Sequence, residues 1–239
     1  DIEEFTQNIT DQKERSKNAA KFQKGDWKVL LEDEKEEFVG YKYLEIKVKI
    51  TRYRRIETSK GVQFEVVFNL TPFYAEGGGQ IGDIGTIQSK EENIPILDTR
   101  KENKLIVHLI DNLPNKLDAS FIARVDFARR SSCSRNHTAT HLLHESLRYI
   151  LGDHVMQKGS LVTYRYLRFD FSHFAKIDLQ QIKQIEENIN TKILSNISLE
   201  EHVDLPLSKA EDLGAMMLFG EKYDDVVRMI QIESSRELC

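Results

Sequence analysis

The chain has 239 residues, of which 40% are hydrophobic and 31% are charged, enough to predict a substantial core and two domains. No apolar run approaches the roughly 20 residues of a membrane span, and the charged start DIEEFTQNIT lacks a signal-peptide core, so we expect a cytoplasmic protein with no membrane partner. The formal net charge of −5 argues against indiscriminate nucleic-acid binding, although arginines crowd locally at 52–55 and 124–135.

The chain divides into three parts by its hydrophobic pattern. Residues 1–27 are polar and show little apolar periodicity, which predicts a helical tether or linker. Residues 28–130 contain several short apolar segments, and the first two of these alternate with period two, which indicates strands. We therefore expect a small β-barrel subdomain built from segments at 44–50, 62–70, 84–87, 94–97, 105–110 and 121–127.

Residues 131–239 mix helices and strands. A helix is expected at 136–151 and a strand at 161–171, and Asp178 with Gln181 forms a capping box for a second helix that carries isoleucines on one face. Further strands are expected at 199–205 and 226–232. The pattern predicts an α+β fold in which the barrel subdomain is followed by this second domain.

A glycine-rich stretch, TPFYAEGGGQIGDIG, lies inside the barrel block. The three glycines Gly77, Gly78 and Gly79 permit positive φ and remove every Cβ, so a ligand could approach the backbone closely. A plain hairpin turn explains a triple glycine equally well. Gln80 adds a hydrogen-bonding group beside it, but the stretch alone is ambiguous.

The segment NHTATHLLHESLRYIL carries a stripe of histidines. Leucines occupy one face of the predicted helix, while His137, His141 and His144 lie on the opposite face, directed away from the core. Because His137 and His141 are four residues apart, both imidazoles can bind one zinc ion, although buried or solvated histidines fit the spacing as well. Thr138 stands where a zinc peptidase needs Glu, which disfavours that class. The two cysteines, Cys133 and Cys239, form no disulfide framework, so each is a metal ligand or a buried thiol.

Five motifs together resemble one family. They are, in order, FYAEGGGQIGDIG, RNHTATHLLH, KGSLVTYRYLRFDFSH, GAMMLFGEKY and SSRELC. The whole chain resembles the editing region of bacterial-type alanyl-tRNA synthetases, and its second half is similar to the editing domain of threonyl-tRNA synthetases. The resemblance implies a barrel subdomain followed by a two-layer α/β editing domain. Sequences resembling the class II aminoacylation core are missing, so we expect no ATP binding.

The resemblance also implies a zinc site. The family pairs H-x-x-x-H with a later C-x-x-x-H, which makes His137, His141 and Cys239 the expected metal ligands. The family's final histidine would lie four positions beyond Cys239. Cys133 and His144 are rival third ligands, but we expect Cys133 to be a small buried residue and His144 to be solvated or to support the ligands.

The implied activity is hydrolysis of the ester that joins serine or glycine to the acceptor end of tRNA(Ala). Zinc would activate water or orient the substrate amine. The expected catalytic residues are Gln80, Thr138 and Thr140, and the expected substrate-binding residues are Gly77, Gly78, Gly79, Gln80, Asp170, His173 and Lys222. Two alternatives stay open: a zinc-dependent esterase with another substrate, and a tRNA-binding module whose zinc is structural.

Overall fold

The computed structural model describes residues 23–32, 35–58, 61–217, 224–233 and 235–238. They form two compact units. The first contains the described residues up to Ala75 together with Gly82–Asp126, and the second contains Glu76–Ile81 and the described residues from Phe127 onward. The triple glycine therefore clusters with the helical unit rather than with the strands that flank it in sequence. Most of the predicted tether, 1–22, lies outside the described residues.

The first unit is built from strands. They are β1 (Gln23–Lys24), β2 (Lys28–Val29), β3 (Glu37–Phe38), β4 (Glu45–Thr58), β5 (Gly61–Phe68), β6 (Leu70–Thr71), β7 (Gly85–Gln88), β8 (Asn93–Ile96), β9 (Asp98–Glu102), β10 (Leu105–Ile110) and β11 (Ser120–Val125). The main sheet has the order β8-β7-β11-β4-β5-β10-β9, and its neighbouring strands are antiparallel. The strands predicted from period two are therefore confirmed.

The core of this unit follows from that alternation. In β4, Val48 and Ile50 are each 1% exposed, while the intervening Lys49 is exposed. Phe68 of β5 and Phe121 of β11 are buried to the same degree in the same cluster. Burying side chains of this size stabilises a fold by about 1.5–3 kcal/mol each before the entropy of ordering them is counted.

The sheet does not show the expected closed barrel. Its hydrogen-bonded path has two ends, β8 and β9, which are not paired with each other among the described strands. These two strands follow each other in the sequence and are separated by Leu97. The chain changes its pairing partner at this residue, since β8 pairs with β7 whereas β9 pairs with β10. The backbone N–H of Leu97 donates to Leu109 at 2.8 Å, so that residue is the corner between the two pairings.

A buried arginine in this unit is held by carboxylates. The guanidinium of Arg54 is 7% exposed, forms an ion pair with Glu65 and lies 2.5 Å from Glu102. Lys24 also contacts Glu102, at 2.6 Å. The hydrogen bond from Arg54, followed by that from Lys24 and the two charges, outweighs burial and lowers the pKa of Glu102 from 4.5 to about 2.

This shift predicts a pH dependence of stability. Because the folded-state pKa of Glu102 is depressed, its contribution to the free energy of unfolding is complete above about pH 4.5 and is lost as the pH falls towards 2. Denaturant unfolding of Glu102→Gln should therefore show a shallower loss of stability between these pH values than the wild type. Glu57→Gln, at an exposed ion pair with Arg55, is the matched control and should follow the wild type. Identical acid dependence in all three proteins would contradict this account.

The second unit combines helices with small sheets. Its elements are α1 (Phe127–Leu151), β12 (Gln157–Val162), β13 (Leu167–Phe171), α2 (Leu179–Leu194), β14 (Leu199–Pro206), α3 (Leu207–Asp212), β15 (Val226–Ile232) and β16 (Ser235–Leu238). Strands β12 and β13 form an antiparallel hairpin, and β14, β15 and β16 form an antiparallel sheet. The α+β class is thus confirmed. None of the described helices is long and apolar enough to cross a membrane.

Helix α1 is longer and more deeply covered than its sequence predicts. Leu142 packs with Ile230 and Ile232 of β15, and Leu147 packs with Ile185 of α2. The expectation that the histidine stripe points away from the core is wrong for His144, which is 2% exposed. The reason is that β16 also packs against this side of the helix and places the carboxylate of Glu237 next to His144.

Helix α2 begins as predicted. The backbone N–H of Gln181 donates to the Asp178 carboxylate at 2.8 Å, and the backbone N–H of Asp178 donates to the Gln181 side chain at 3.1 Å. The capping box is therefore confirmed. Its isoleucine face is covered only in part, since Ile185 is 6% exposed but Ile193 is 53% exposed.

Candidate functional site

Two histidines lie side by side on α1. His137 and His141 are one helical turn apart, and their rings are stacked with centroids 5.1 Å apart and planes within 11°. Both side chains are half-buried, and the Nε2 atom of His141 is fully buried. The helix alone accounts for this proximity, because residues four apart project from the same face.

Each histidine is oriented by an acceptor from another element. His137 Nδ1 lies 2.9 Å from Gln80 Oε1, and His141 Nδ1 lies 2.5 Å from Glu237 Oε2. An amide oxygen and a carboxylate oxygen only accept hydrogen bonds, so each Nδ1 carries the proton. In the neutral ring the lone pair is then on Nε2. This is the arrangement in which second partners fix the tautomer of metal-binding histidines.

Glu237 joins a third histidine to the pair. Its other oxygen, Oε1, lies 3.1 Å from His144 Nδ1, and the ring of His144 packs against Phe169. Burial by itself would raise the pKa of Glu237, but the hydrogen bond from His141 and the close contact with His144 outweigh burial and hold the pKa well below its usual range. Glu237 is therefore an ionised anchor inside the unit.

Glu237 is not among the residues predicted from the sequence. The available signal was an acidic residue two positions before the expected ligand Cys239, on a strand where neighbouring side chains alternate between faces. Pairing of Glu237 with Ile230 of β15 fixes its position on the sheet. That pairing is a long-range feature that residue spacing does not reveal.

The glycine-rich loop is a tight hairpin turn. Gly77 and Gln80 exchange backbone hydrogen bonds of 3.1 and 2.9 Å, and the central residues Gly78 and Gly79 have φ of 56° and 77°. Positive φ at both central positions is typical of a type I′ turn. The turn docks on β12, because Val162 donates to the Gly79 carbonyl at 2.7 Å. The turn thereby holds Gln80, which is 5% exposed, against His137.

Gly79 is required for two separate reasons. Besides its positive φ, a Cβ at this position would lie 2.8 Å from the Ser160 carbonyl oxygen. Gly214 has a similar φ of 72°, but a Cβ there would meet nothing within 4 Å. The two glycines thus share the backbone penalty and differ in the steric clash.

Alanine substitutions should separate these effects. We expect Gly214→Ala to lose about 1–2 kcal/mol from strain alone, and Gly79→Ala to lose measurably more because it also forces the turn away from β12. Urea unfolding of both variants measures the difference. Equal losses would show that the turn does not need its close approach to Ser160.

The other predicted catalytic residues lie on α1 with their hydroxyls engaged. Thr138 Oγ1 donates to the Ser134 carbonyl at 3.1 Å, and Thr140 Oγ1 donates to the Asn136 carbonyl at 2.8 Å. Thr140 is buried, whereas Thr138 is half-buried. Because each hydroxyl donates its proton to a carbonyl of the helix, each can only accept a hydrogen bond from a ligand.

Two predicted substrate-binding residues have other partners. The Asp170 carboxylate accepts from Arg168 Nε at 3.1 Å, and His173 Nδ1 lies 2.8 Å from His154 Nε2. The structure therefore brings together Gln80, His137 and His141 from the predicted set. Lys222 and Cys239 lie outside the described residues.

The histidine pair fits half of a zinc site. Within the described ranges, no group of three or more His, Cys, Asp or Glu side chains is placed to hold a metal ion. The donor chemistry of the pair is nevertheless suitable, since both Nδ1 atoms are fixed by acceptors and both rings would offer Nε2. Of the rival ligands, Cys133 is 2% exposed, in agreement with the expectation of a small buried residue.

Relatives of this chain are alanine–tRNA ligases. The chain is 47% identical over its full length to the enzyme of Bacteroides fragilis and 48% identical over its full length to that of Parabacteroides distasonis. It is 47% identical to the enzyme of Flavobacterium psychrophilum, with 98% of the chain covered. The chain spans 27–28% of the length of these relatives.

A family match gives the same assignment. The family of tRNA synthetases class II (A) matches residues 1–129, which is more than half of the chain. The match ends just after the start of α1, so it covers the strand-rich unit and stops before the histidine pair. Together with the full-length similarity to alanine–tRNA ligases, it confirms the resemblance to alanyl-tRNA synthetases. The chain therefore belongs to the class II (A) tRNA synthetase family.

Proposed function

We propose that this chain is the editing region of an alanine–tRNA ligase. It would hydrolyse the ester that joins serine or glycine to the terminal adenosine of tRNA(Ala), acting in the cytoplasm on the acceptor end of that tRNA. The second unit would be the two-layer editing domain. The observation that carries the proposal is the histidine pair, whose Nδ1 atoms are held by Gln80 and Glu237 beside the glycine turn.

The residues of the second unit have separate tasks in this proposal. Gln80 and Glu237 keep the protons of His137 and His141 on Nδ1, so that each Nε2 carries the lone pair that a zinc ligand needs. A zinc ion held by His137, His141 and Cys239 would activate water or orient the substrate amine.

The glycine turn offers a surface for the substrate. Gly78 is exposed and has no side chain, so the aminoacyl-adenosine end can approach the backbone closely. The turn is also rigid, because its hydrogen bonds to β12 fix it. A rigid, bare backbone is suited to positioning an ester that must be attacked from one direction.

The threonines would supply selection of serine over alanine in this proposal. Thr138 and Thr140 donate to the preceding turn of α1, so their oxygens can accept the hydroxyl proton of a seryl group. Correctly attached alanine cannot make this hydrogen bond and would leave a polar group of the site unpaired. Such a difference can supply large discrimination.

A deacylation assay tests the proposal. The chain, and a version extended to include the expected ligand four positions after Cys239, are incubated with Ser-tRNA(Ala), Gly-tRNA(Ala) and Ala-tRNA(Ala) in the presence of zinc. We expect hydrolysis of the seryl and glycyl esters while the alanyl ester is largely spared. His137→Ala and His141→Ala should abolish both zinc binding and hydrolysis.

Tyr149→Ala is the matched control on the same helix, since Tyr149 is 80% exposed. It should retain zinc binding and deacylation. Hydrolysis of small esters without tRNA would instead indicate a general esterase. Binding of tRNA without hydrolysis, even in the extended chain, would indicate an RNA-binding module with structural zinc and would overturn the proposal.

A further inference from the structure

A second pair of histidines lies at the open end of the β12–β13 hairpin. His154 precedes β12, and His173 follows β13. Because the two strands are antiparallel, the entry of one lies beside the exit of the other. The Nε2 atom of His154 is 2.8 Å from the Nδ1 atom of His173. These two residues, which we call the hairpin pair, are therefore in direct contact although they are distant in sequence.

The hairpin pair is separate from the histidine pair of the candidate site. Arg148 of α1 donates to the backbone carbonyls on both sides of His154, at 2.8 and 3.0 Å, so His154 lies beside that turn of the helix. Arg148 follows His141 by seven residues, which is about 10 Å along a helix. The glycine turn docks on Val162, at the other end of the hairpin. A ligand of the hairpin pair is therefore held apart from the candidate site.

The fold does not need these imidazoles to close the hairpin. The backbone N–H of Ser172 donates to the Met156 carbonyl at 3.0 Å, and the Ser172 hydroxyl accepts from the Met156 N–H at 3.2 Å. These bonds already join the two ends next to the hairpin pair. His154 is exposed and His173 is half-buried, so solvent reaches the pair.

Neighbouring groups restrict both rings. The ring of Phe174 has its centre 4.5 Å from that of His154 and 4.9 Å from that of His173. The planes of the two imidazoles differ by 23°. Gly152, with a φ of 110°, leaves room beside His154, because a Cβ there would lie 3.1 Å from its Nδ1. An Nδ1–H group has space here, and that tautomer leaves the lone pair of His154 on Nε2, towards His173.

The distance between the two nitrogens matches that of neighbouring ligands of a metal ion. Imidazole nitrogens bind a transition-metal ion at about 2.0–2.1 Å. Two such ligands at a right angle are about 2.9 Å apart, whereas a tetrahedral angle separates them by about 3.3 Å. The observed distance of 2.8 Å is close to the first value. It favours ions with square-planar or tetragonal coordination, such as copper(II) and nickel(II), over tetrahedral zinc.

We propose that His154 and His173 form a binding site for a copper(II) or nickel(II) ion, with water completing the coordination. One hydrogen now lies between the two nitrogens. When the ion binds, the ring that carries this hydrogen exchanges it through solvent for one on its other nitrogen, so both rings stay neutral. The rings also turn until their lone pairs converge on the ion. The ion then ties the entry of β12 to the exit of β13, and its binding stabilises the folded chain by mass action.

Copper(II) titration of the untagged chain tests this site. The unpaired electron of copper broadens the NMR signals of nearby nuclei, so the ring protons of Phe174 report on the hairpin pair directly. Broadening of these signals should begin at substoichiometric copper in the wild type. His154→Gln and His173→Gln should each need at least about 10-fold more copper for the same effect, because each removes one of the two imidazole ligands. Nickel(II) should reverse the broadening at lower concentration than zinc does.

Matched controls come from the same unit. His202→Gln removes a half-buried histidine from β14, and His137→Ala removes a ligand of the candidate zinc site. In both, the Phe174 signals should respond to copper as in the wild type. Thermal melts should show all four variants folded, since the bonds between Met156 and Ser172 remain. Nickel should raise the melting temperature of the wild type more than that of either hairpin-pair variant.

Equal copper sensitivity of Phe174 in the wild type, His154→Gln and His173→Gln would overturn the proposed site. Zinc that displaces copper more effectively than nickel would also overturn it, because the spacing of the two nitrogens would then not select the ion. Neither result bears on deacylation, which depends on the other histidine pair. Loss of deacylation without any change in the copper response would reject the editing function alone.

Discussion

The candidate site depends on two hydrogen bonds that fix the protons of neighbouring imidazoles. An α-helix places His137 and His141 together, but it does not decide which nitrogen of each ring carries the proton. Gln80 and Glu237 decide it, because each offers only an acceptor to Nδ1. Without these acceptors the two rings are only a polar stripe on the helix. With them, each ring has a fixed orientation and carries its lone pair on Nε2.

Two other parts of the second unit position these two acceptors. Gln80 arrives on a turn that needs glycine at Gly79 to pass close to Ser160. Glu237 arrives on the edge strand of a small antiparallel sheet, where burial would favour its neutral form. His141 and His144 keep it ionised, so the carboxylate remains a strong acceptor.

Local patterns predicted much of the fold. Alternation in β4 and β5 placed Val48 and Phe68 in the core, and the Asp178 capping box gave the start of α2. Long-range pairing was not predictable in this way. The change of partner at Leu97, which leaves the sheet with two ends, depends on where β7 and β10 lie and has no local signature.

The candidate site also has a part that local sequence patterns predicted and a part that depends on long-range pairing. The spacing of His137 and His141 gave the pair, and the motifs that resemble the editing region drew attention to Gln80. The burial of His144 was missed, because helical periodicity assigns one polar face and cannot show that β16 covers it. Glu237 was missed for the same reason, since its role depends on strand pairing.

The most direct test of the account is the tautomeric state of the two histidines. Long-range proton–nitrogen NMR of the imidazoles, at neutral pH and without metal, reports which nitrogen is protonated. The account predicts the Nδ1–H form for both His137 and His141, with the preference at His141 weakened in Glu237→Ala. An Nε2–H form for both rings, unchanged in Glu237→Ala, would contradict it.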